Sequence, residues 1–207
     1  MPELSDKDLH LSPIKRHFVA LQHLRDAAMS ELTAVDSDGI QHFIWLQEYG
    51  DTCGPACVYM VERILRQACV VGGEERVTFL TSLLPNGYKE GNGTASYLAL
   101  KQVLSRIGIP SGSSHLTNMQ QFVQEGFFPF ITRVKWTNGG GHFVVGMRTT
   151  SDGSLVCLDP WYGLVQPTIS NLPAYTVQAD YRAQQSMLIP IGGQLSGHTI
   201  YPNASPS

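Results

Sequence analysis

The chain has 207 residues, of which 43% are hydrophobic, and its 14 Lys and Arg against 17 Asp and Glu give a formal net charge of -3. This balance is typical of a folded domain and excludes disorder of the whole chain. The sequence holds no basic block and no apolar run of about 18 residues, so we expect no nucleic-acid partner, no membrane partner and no transmembrane helix.

The N-terminus, MPELSDKDLHLSPIKRH, is polar and carries acidic residues, unlike a secretory signal peptide. We therefore expect a protein that is cytoplasmic or is secreted by a route that needs no signal peptide. The cysteines are Cys53, Cys57, Cys69 and Cys157. They are too few for a disulfide framework, and no CxxC pair or His-x-x-x-His partner accompanies them, so we expect reduced thiols, no metal and no cofactor.

The first 40 residues are predicted to form an N-terminal helical extension. Ser12 and Pro13 resemble a helix start, and apolar residues at helical spacing then predict a helix over about residues 13 to 33. We expect it to pack on the domain; a pro-region or a partner-docking helix is the alternative. A turn at residues 36 to 39 and a short strand at 41 to 46 follow.

Three further helices are predicted in the next part of the chain. The first spans about residues 54 to 67, with Pro55 near its start, where a missing N–H costs little. A glycine-rich loop at 85 to 94 precedes the second, for which Thr94 is the expected cap and which ends at Gly108. The third is short and begins at Thr117.

Strands are predicted after Gly126, at 127–131, 142–147 and 155–158, with two more at 166–169 and 186–191. Helices followed by an antiparallel sheet indicate the α+β class. We expect one catalytic domain over residues 41–191. The Gly, Ser, Pro and Asn content of residues 192–207 predicts a flexible C-terminal tail.

Cys53, His142, Asp159 and Gln47 are the candidate catalytic residues. Cys53 lies at a predicted helix N-terminus, whose positive end favours a thiolate over a thiol. His142 follows three glycines and opens a strand, and Asp159 ends the next strand, so a hairpin would bring the two together. Gln47, six residues before Cys53, can aim its amide at an oxyanion. These groups are the parts of a cysteine hydrolase.

Other residues are weaker candidates. We expect Cys57 to pack inside, and Cys69 and Cys157, in apolar runs, to be inert. The segment Ser111 to Ser114 lacks a nucleophile-elbow pattern, which disfavours a serine hydrolase. The candidate substrate-binding residues are Gly54 and Gly141, which leave room for a substrate, and Trp161, with Trp136 and Tyr162 as further candidates for the cleft.

These segments together resemble the bacteriocin-processing, double-glycine leader peptidase family, a papain-like group. The resemblance covers about residues 41 to 175 and rests on Gln47, Cys53-Gly54-Pro55-Ala56-Cys57, Gly93 to Lys101, Gly141 to Val145, and Asp159-Pro160-Trp161-Tyr162-Gly163. It implies a papain-like fold with an N-terminal helical half that carries the Cys and an antiparallel sheet half that carries the His and Asp. It also implies that Cys53 is the nucleophile, His142 the general base and acid, Asp159 the orienting residue and Gln47 the oxyanion donor.

The chain departs from the family pattern in two respects. Thr52 replaces the acidic residue that usually precedes the cysteine, and Asp51 stands one place earlier. Family members are commonly the front end of a membrane exporter, whereas this sequence holds neither transmembrane segments nor a P-loop. We therefore expect a stand-alone cysteine endopeptidase that cleaves a protein or peptide, such as a bacterial effector or toxin, with an immunity protein or a secretion apparatus as a partner.

Two alternatives use the same residues. A papain-like deamidase or acyltransferase toxin has the same triad, and only its substrate cleft differs. A non-catalytic peptide-binding domain is the second alternative, although such domains usually lose the nucleophile or the base, and both are present here.

Overall fold

The computed structural model describes residues 31–177 and 191–203. Its helices are α1 (Cys53–Arg66), α2 (Gly73–Ser82), α3 (Tyr97–Arg106) and α4 (Met119–Gln124). Its strands are β1 (Glu31–Val35), β2 (Gln41–Trp45), β3 (Tyr88–Lys89), β4 (Gly93–Thr94), β5 (Ser111–His115), β6 (Phe130–Trp136), β7 (Gly141–Thr149), β8 (Leu155–Asp159), β9 (Gly163–Val165), β10 (Ala174–Val177) and β11 (Ile191–Pro202).

Helix α1 is the centre of the helical half. Every residue from Gly54 to Glu62 is buried, so this helix is covered on all sides by α2, α3 and strand β7. It ends at Gln67, which adopts a left-handed conformation with φ of 51°. The helix therefore lies in the core, and its first residue, Cys53, is fixed by that packing.

The sheet half is a seven-stranded antiparallel sheet in the order β10-β11-β6-β7-β8-β9, with β5 also paired to β11. Strand β7 lies between β6 and β8, and Val134 pairs with His142 in that register. The helices α1 and α3 cover one face, where Ile131, Phe143 and Val145 are buried. The other face packs on α4 around Phe130 and Val144.

These observations confirm the α+β class and the predicted division of the domain into a helical half and an antiparallel sheet half. The Cys lies on the helical half, and the His and Asp lie on neighbouring strands of the sheet. Helix α1, the turn after β1 and strands β2, β7 and β8 form where their patterns predict them.

The prediction of a flexible tail over residues 192–207 is wrong for residues 192–202. Strand β11 runs from Ile191 to Pro202, between β10 and β6, and also pairs with β5. Its glycines hide any alternation of apolar and polar side chains, but the backbone hydrogen bonds on both edges hold it in place. The domain therefore extends beyond residue 191.

The N-terminal boundary also differs from the prediction. Most of the helix expected at 13 to 33 lies outside the described residues, but its last three positions are part of strand β1, which pairs with β2. Residues 31–35 thus belong to a hairpin, and not to a helical extension. The hairpin turn is fixed to the rest of the domain by Arg148, which forms ion pairs with Asp36 and Asp38.

Several local predictions are also corrected. The cap of α3 is Ser96, whose hydroxyl accepts from Leu98 N at 3.2 Å, while Thr94 ends strand β4. Helix α4 is capped by Asn118. The strand expected at 166–169 lies earlier, at β9, and the strand expected at 186–191 lies outside the described residues except for Ile191. Helix α2 and strands β5 and β10 were not predicted.

Candidate active site

Cys53 is the first residue of helix α1 and is half-buried with a free thiol. Thr52, at the N-cap, makes no side-chain cap hydrogen bond to the helix. The first backbone N–H groups of a helix have no partner within the helix, and they carry its positive partial charge. The thiol therefore lies where a negative charge is stabilised.

His142 lies at the start of β7, next to Asp159 and in the same cleft as Cys53. Its Nε2 is 2.7 Å from Asp159 Oδ1. An ionised carboxylate only accepts hydrogen bonds, so Nε2 donates to it. The Cys53 side chain lies near the ring and also raises the pKa of His142. The hairpin of β7 and β8 thus brings His142 and Asp159 together as predicted from their spacing.

The Asp159 carboxylate is completely buried and surrounded by donors. Besides His142, its Oδ1 accepts from Trp161 N at 2.7 Å and from Tyr162 N at 2.9 Å, as the Asp-Pro turn directs. Its Oδ2 accepts from the hydroxyl of Tyr175 at 2.7 Å. Four donors fix the carboxylate in one orientation, which in turn orients the imidazole.

Tyr175 was missed by the sequence analysis. It lies on β10, is fully buried, and contacts Asp159 across the sheet. Burial and the Asp159 charge raise the pKa of Tyr175 well above its usual value, so its hydroxyl stays protonated and donates. The alternating pattern of Ala174–Val177 could have indicated a strand, but no local signal points to this partner.

The charge state of His142 follows from its surroundings. Burial opposes ionisation of the ring, but the Asp159 charge, the hydrogen bond to Asp159 and the nearby Cys53 side chain together raise the pKa of His142 to about 10. The imidazole therefore carries a proton at neutral pH. An imidazolium next to Cys53 can stabilise a thiolate and later deliver its proton.

The other cysteines have different surroundings. Cys57 and Cys157 are completely buried, and burial raises the pKa of both thiols, so both remain protonated. Cys57 is thus packed inside as predicted. Cys69 is exposed, which differs from the expectation drawn from its apolar neighbours, because it follows the end of α1 at the surface. Cys53 alone among these four lies beside an imidazole.

Gln47 lies beside Cys53 at the wall of the cleft and is nearly fully buried. Its Nε2 donates to Tyr49 O at 2.6 Å, and its backbone N donates to Pro160 O at 2.8 Å. The second bond joins the segment after β2 to the turn after Asp159. The predicted oxyanion donor and the predicted orienting residue are thus on segments that contact each other.

Cys53, His142 and Gln47 line one cleft of about 500 Å³, together with Gly141 and Trp161. Trp136 and Tyr162 line it as well. Gly139 and Gly140, with φ of 97° and 83°, form the tight turn before β7, a conformation that side chains disfavour.

Gly54 is not among the cleft residues, and its predicted role in substrate binding is wrong. It is buried in helix α1, where a Cβ would lie 2.8 Å from Thr94 Oγ1 and 3.1 Å from Leu100. Glycine at this position allows α1 to approach the segment 94–100 closely. Its role is therefore in packing the helical half.

Asp51 and Thr52 make contacts that the sequence could not predict. Asp51 accepts from the Tyr88 hydroxyl at 3.1 Å and from Gly91 N at 2.5 Å, and so ties the β3–β4 hairpin to the rim of the cleft. The Thr52 hydroxyl donates to Tyr49 O at 3.1 Å. The acidic group one place earlier than in the family pattern thus has its own structural partners.

Within residues 31–177 and 191–203 no group of three or more His, Cys, Asp or Glu side chains is placed to hold a metal ion. In the same ranges no helix is long and apolar enough to cross a membrane.

The fold is similar to solved peptidase domains. The peptidase domain of Streptococcus ComA, a bi-functional ABC transporter involved in a quorum sensing pathway, is 17% identical, and the match covers 77% of this chain and 98% of that chain with a TM-score of 0.53. The chain is also similar, at a lower TM-score, to a double glycine motif protease from an AMS/PCAT transporter that was solved in complex with the leader peptide. That protease is 16% identical, with 83% of this chain and 93% of that chain covered and a TM-score of 0.49.

A scan of protein-family models found no match to this chain. A search of curated proteins found none either. At this sequence identity the match to the ComA domain bears on the fold, and it agrees with the helical half and the sheet half described above. The chain has a papain-like fold that resembles the peptidase domain of the ComA ABC transporter, as its motifs predict.

Proposed function

We propose that this protein is a cysteine peptidase with Cys53 as nucleophile, His142 as general base and acid, Asp159 as the residue that orients His142, and Gln47 as an oxyanion donor. One observation carries the proposal: His142, which is hydrogen-bonded to the buried Asp159 at 2.7 Å, lines one cleft together with Cys53, the first residue of a helix.

In the acylation step, the Cys53 thiolate attacks the carbonyl carbon of the scissile peptide bond. The negative charge that develops on the carbonyl oxygen is stabilised by the Cys53 backbone N–H, which has no partner within its helix, and by the Gln47 amide. The His142 imidazolium then donates its proton to the leaving amine, the C–N bond breaks, and a thioester remains on Cys53.

In the deacylation step, neutral His142 takes a proton from a water molecule as that water attacks the thioester. The second tetrahedral intermediate collapses, the acid product leaves, and the proton on His142 restores the ion pair with the Cys53 thiolate. Asp159 accepts the hydrogen bond from His142 Nε2 and stabilises the imidazolium form. Burial of the carboxylate strengthens this interaction, because little water screens it.

The experiment compares wild-type protein with Cys53→Ala after incubation with a proteome, and maps new peptide N-termini by mass spectrometry. We expect new termini with the wild type and none with the variant. Cys69→Ser is the matched control, because it removes an exposed thiol outside the cleft and should leave cleavage unchanged. Equal termini in wild type and Cys53→Ala would contradict the proposal.

The same experiment reports the alternatives. Mass increases of about one unit at Gln or Asn without new termini would identify a deamidase, which uses the same acyl-enzyme chemistry. If nothing changes but peptides are retained on the protein, the chain is a peptide-binding domain. A protein or peptide substrate is part of the proposal; the effector or toxin role, the immunity protein and the secretion apparatus stay predictions.

A further inference from the structure

The candidate cleft contains one arginine, Arg133, that the proposed chemistry does not use. It lies on β6 and is exposed at the cleft wall. Its strand partner is Phe143, the residue after His142. Arg133 alternates with the buried Ile131 and therefore lies on the helix-facing side of the sheet, where the cleft leaves that face open.

Arg133 differs from most other arginines of the described chain in having no partner. Arg63, Arg66, Arg76 and Arg148 each form at least one ion pair with Glu or Asp. Within residues 31–177 and 191–203, the Arg133 side chain forms no hydrogen bond or ion pair. A guanidinium offers five N–H donors and matches a carboxylate in a bidentate geometry, so this group is available to a ligand.

The glycine at 141 keeps this guanidinium in the cleft. A Cβ on Gly141 would collide with the Arg133 side chain, which lies across the backbone at that point. Because Gly141 directly precedes His142, the positive charge lies next to the reacting groups. A substrate chain that reaches Cys53 would therefore pass within reach of Arg133.

Among the described residues that line the cleft, no carboxylate is free to form an ion pair with the Arg133 guanidinium. Asp51 is the acidic side chain among the described residues that line the cleft, and it already accepts from Tyr88 and Gly91 N. His198, whose ring stacks on His115 at 4.0 Å between centroids, lies on the neighbouring strand β11, and its carbonyl accepts from the hydroxyl of Thr132, the residue before Arg133. Burial and the charges of His115 and Arg133 lower the pKa of His198, as expected for an electropositive region.

We propose that Arg133 is a specificity-determining residue that selects peptides with an Asp or Glu side chain close to the bond attacked by Cys53. This inference rests on the proposed function and names the substrate class of that site. A charge-assisted, bidentate contact is about twice as strong as a neutral hydrogen bond, and it loses that strength when the carboxylate is replaced by an amide.

The test uses a peptide library in which each position in turn is fixed as one amino acid. Cleavage is measured with the wild type, Arg133→Gln and Arg133→Glu. The matched control is Lys135→Glu, which reverses an exposed charge on the same strand outside the cleft. Retention of the same library on immobilised Cys53→Ala protein, with and without Arg133→Gln, gives a readout that does not need turnover.

We expect Asp or Glu to be favoured over Gln or Asn at one position by about tenfold, on the scale of one charge-assisted hydrogen bond. Arg133→Gln should remove that preference, Arg133→Glu should replace it with Lys or Arg at the same position, and Lys135→Glu should leave it unchanged. An acidic preference that persists in Arg133→Gln, or cleavage and retention without any acidic preference, would overturn the inference. If retention depends on Arg133 but nothing is cleaved, the inference stands and the peptidase proposal fails.

Discussion

Asp159 receives four hydrogen bonds, and the one from Tyr175 is the only one of these from a side chain other than His142. The two backbone donors, Trp161 N and Tyr162 N, come from the turn that directly follows Asp159, so they depend only on local structure. The Tyr175 hydroxyl comes from a separate strand, and it fixes Oδ2 when the whole sheet is assembled. At the scale of single residues, the orientation of His142 thus depends on a contact that spans the sheet.

We predict that Tyr175→Phe lowers kcat/KM by about tenfold, because a hydrogen bond to a charged group contributes about 1.5–3 kcal/mol and the unpaired carboxylate oxygen loses its orientation. The measurement is kcat/KM together with urea unfolding. Tyr201→Phe is the control, since its hydroxyl lies 3.5 Å from Ser114 Oγ and contacts no carboxylate. Unchanged kcat/KM in Tyr175→Phe would remove Tyr175 from this positioning role.

At the scale of elements, helix α2 supports the segment that carries Gln47. Glu74, in the first turn of α2, accepts from Trp45 Nε1 at 2.7 Å and from Glu48 N at 3.1 Å. These two donors lie on either side of Gln47. Burial raises the pKa of Glu74 to about 7, so this carboxyl group titrates near neutral pH.

The raised pKa of Glu74 predicts how the free energy of unfolding depends on pH. Its pKa is about 7 in the folded state against an ordinary value of 4.5 for glutamate, so the folded state binds the proton more tightly. Between these values the folded form holds a proton that the unfolded form has lost, and stability falls as pH rises toward 7. Above pH 7 the whole penalty, on the order of 3 kcal/mol, is present.

Glu74→Gln should therefore unfold at a higher urea concentration than wild type at pH 8 and at a similar one at pH 5, because glutamine keeps an acceptor oxygen and cannot ionise. Urea unfolding at the two pH values measures this. Glu75→Gln, a neighbouring acidic position on α2, is the matched control and should show no such pH dependence. A constant difference between Glu74→Gln and wild type at both pH values would contradict the assignment.

At the scale of the whole molecule, the sequence predicted those elements that depend on residues close together in the chain. The start of α1 at Cys53, and the β7–β8 hairpin that joins His142 to Asp159, follow from motifs within about 20 residues. Strand β11 could not be predicted, because its three glycines within Ile191–Gly197 remove the side-chain alternation and its stability comes from strands far along the chain. For the same reason the Tyr175 contact and the packing of Gly54 against Leu100 appear only in the folded structure.

The central claim, that Cys53, His142 and Asp159 act as one unit, is tested most directly by NMR titration of the His142 ring, assigned by comparison with His142→Gln. Because Asp159 and Cys53 both raise it, we expect the pKa of His142 to be about 10 in the wild type and lower in both Asp159→Asn and Cys53→Ala. A His142 that titrates near 6.5 in the wild type, or whose pKa is unchanged in Cys53→Ala, would contradict the account.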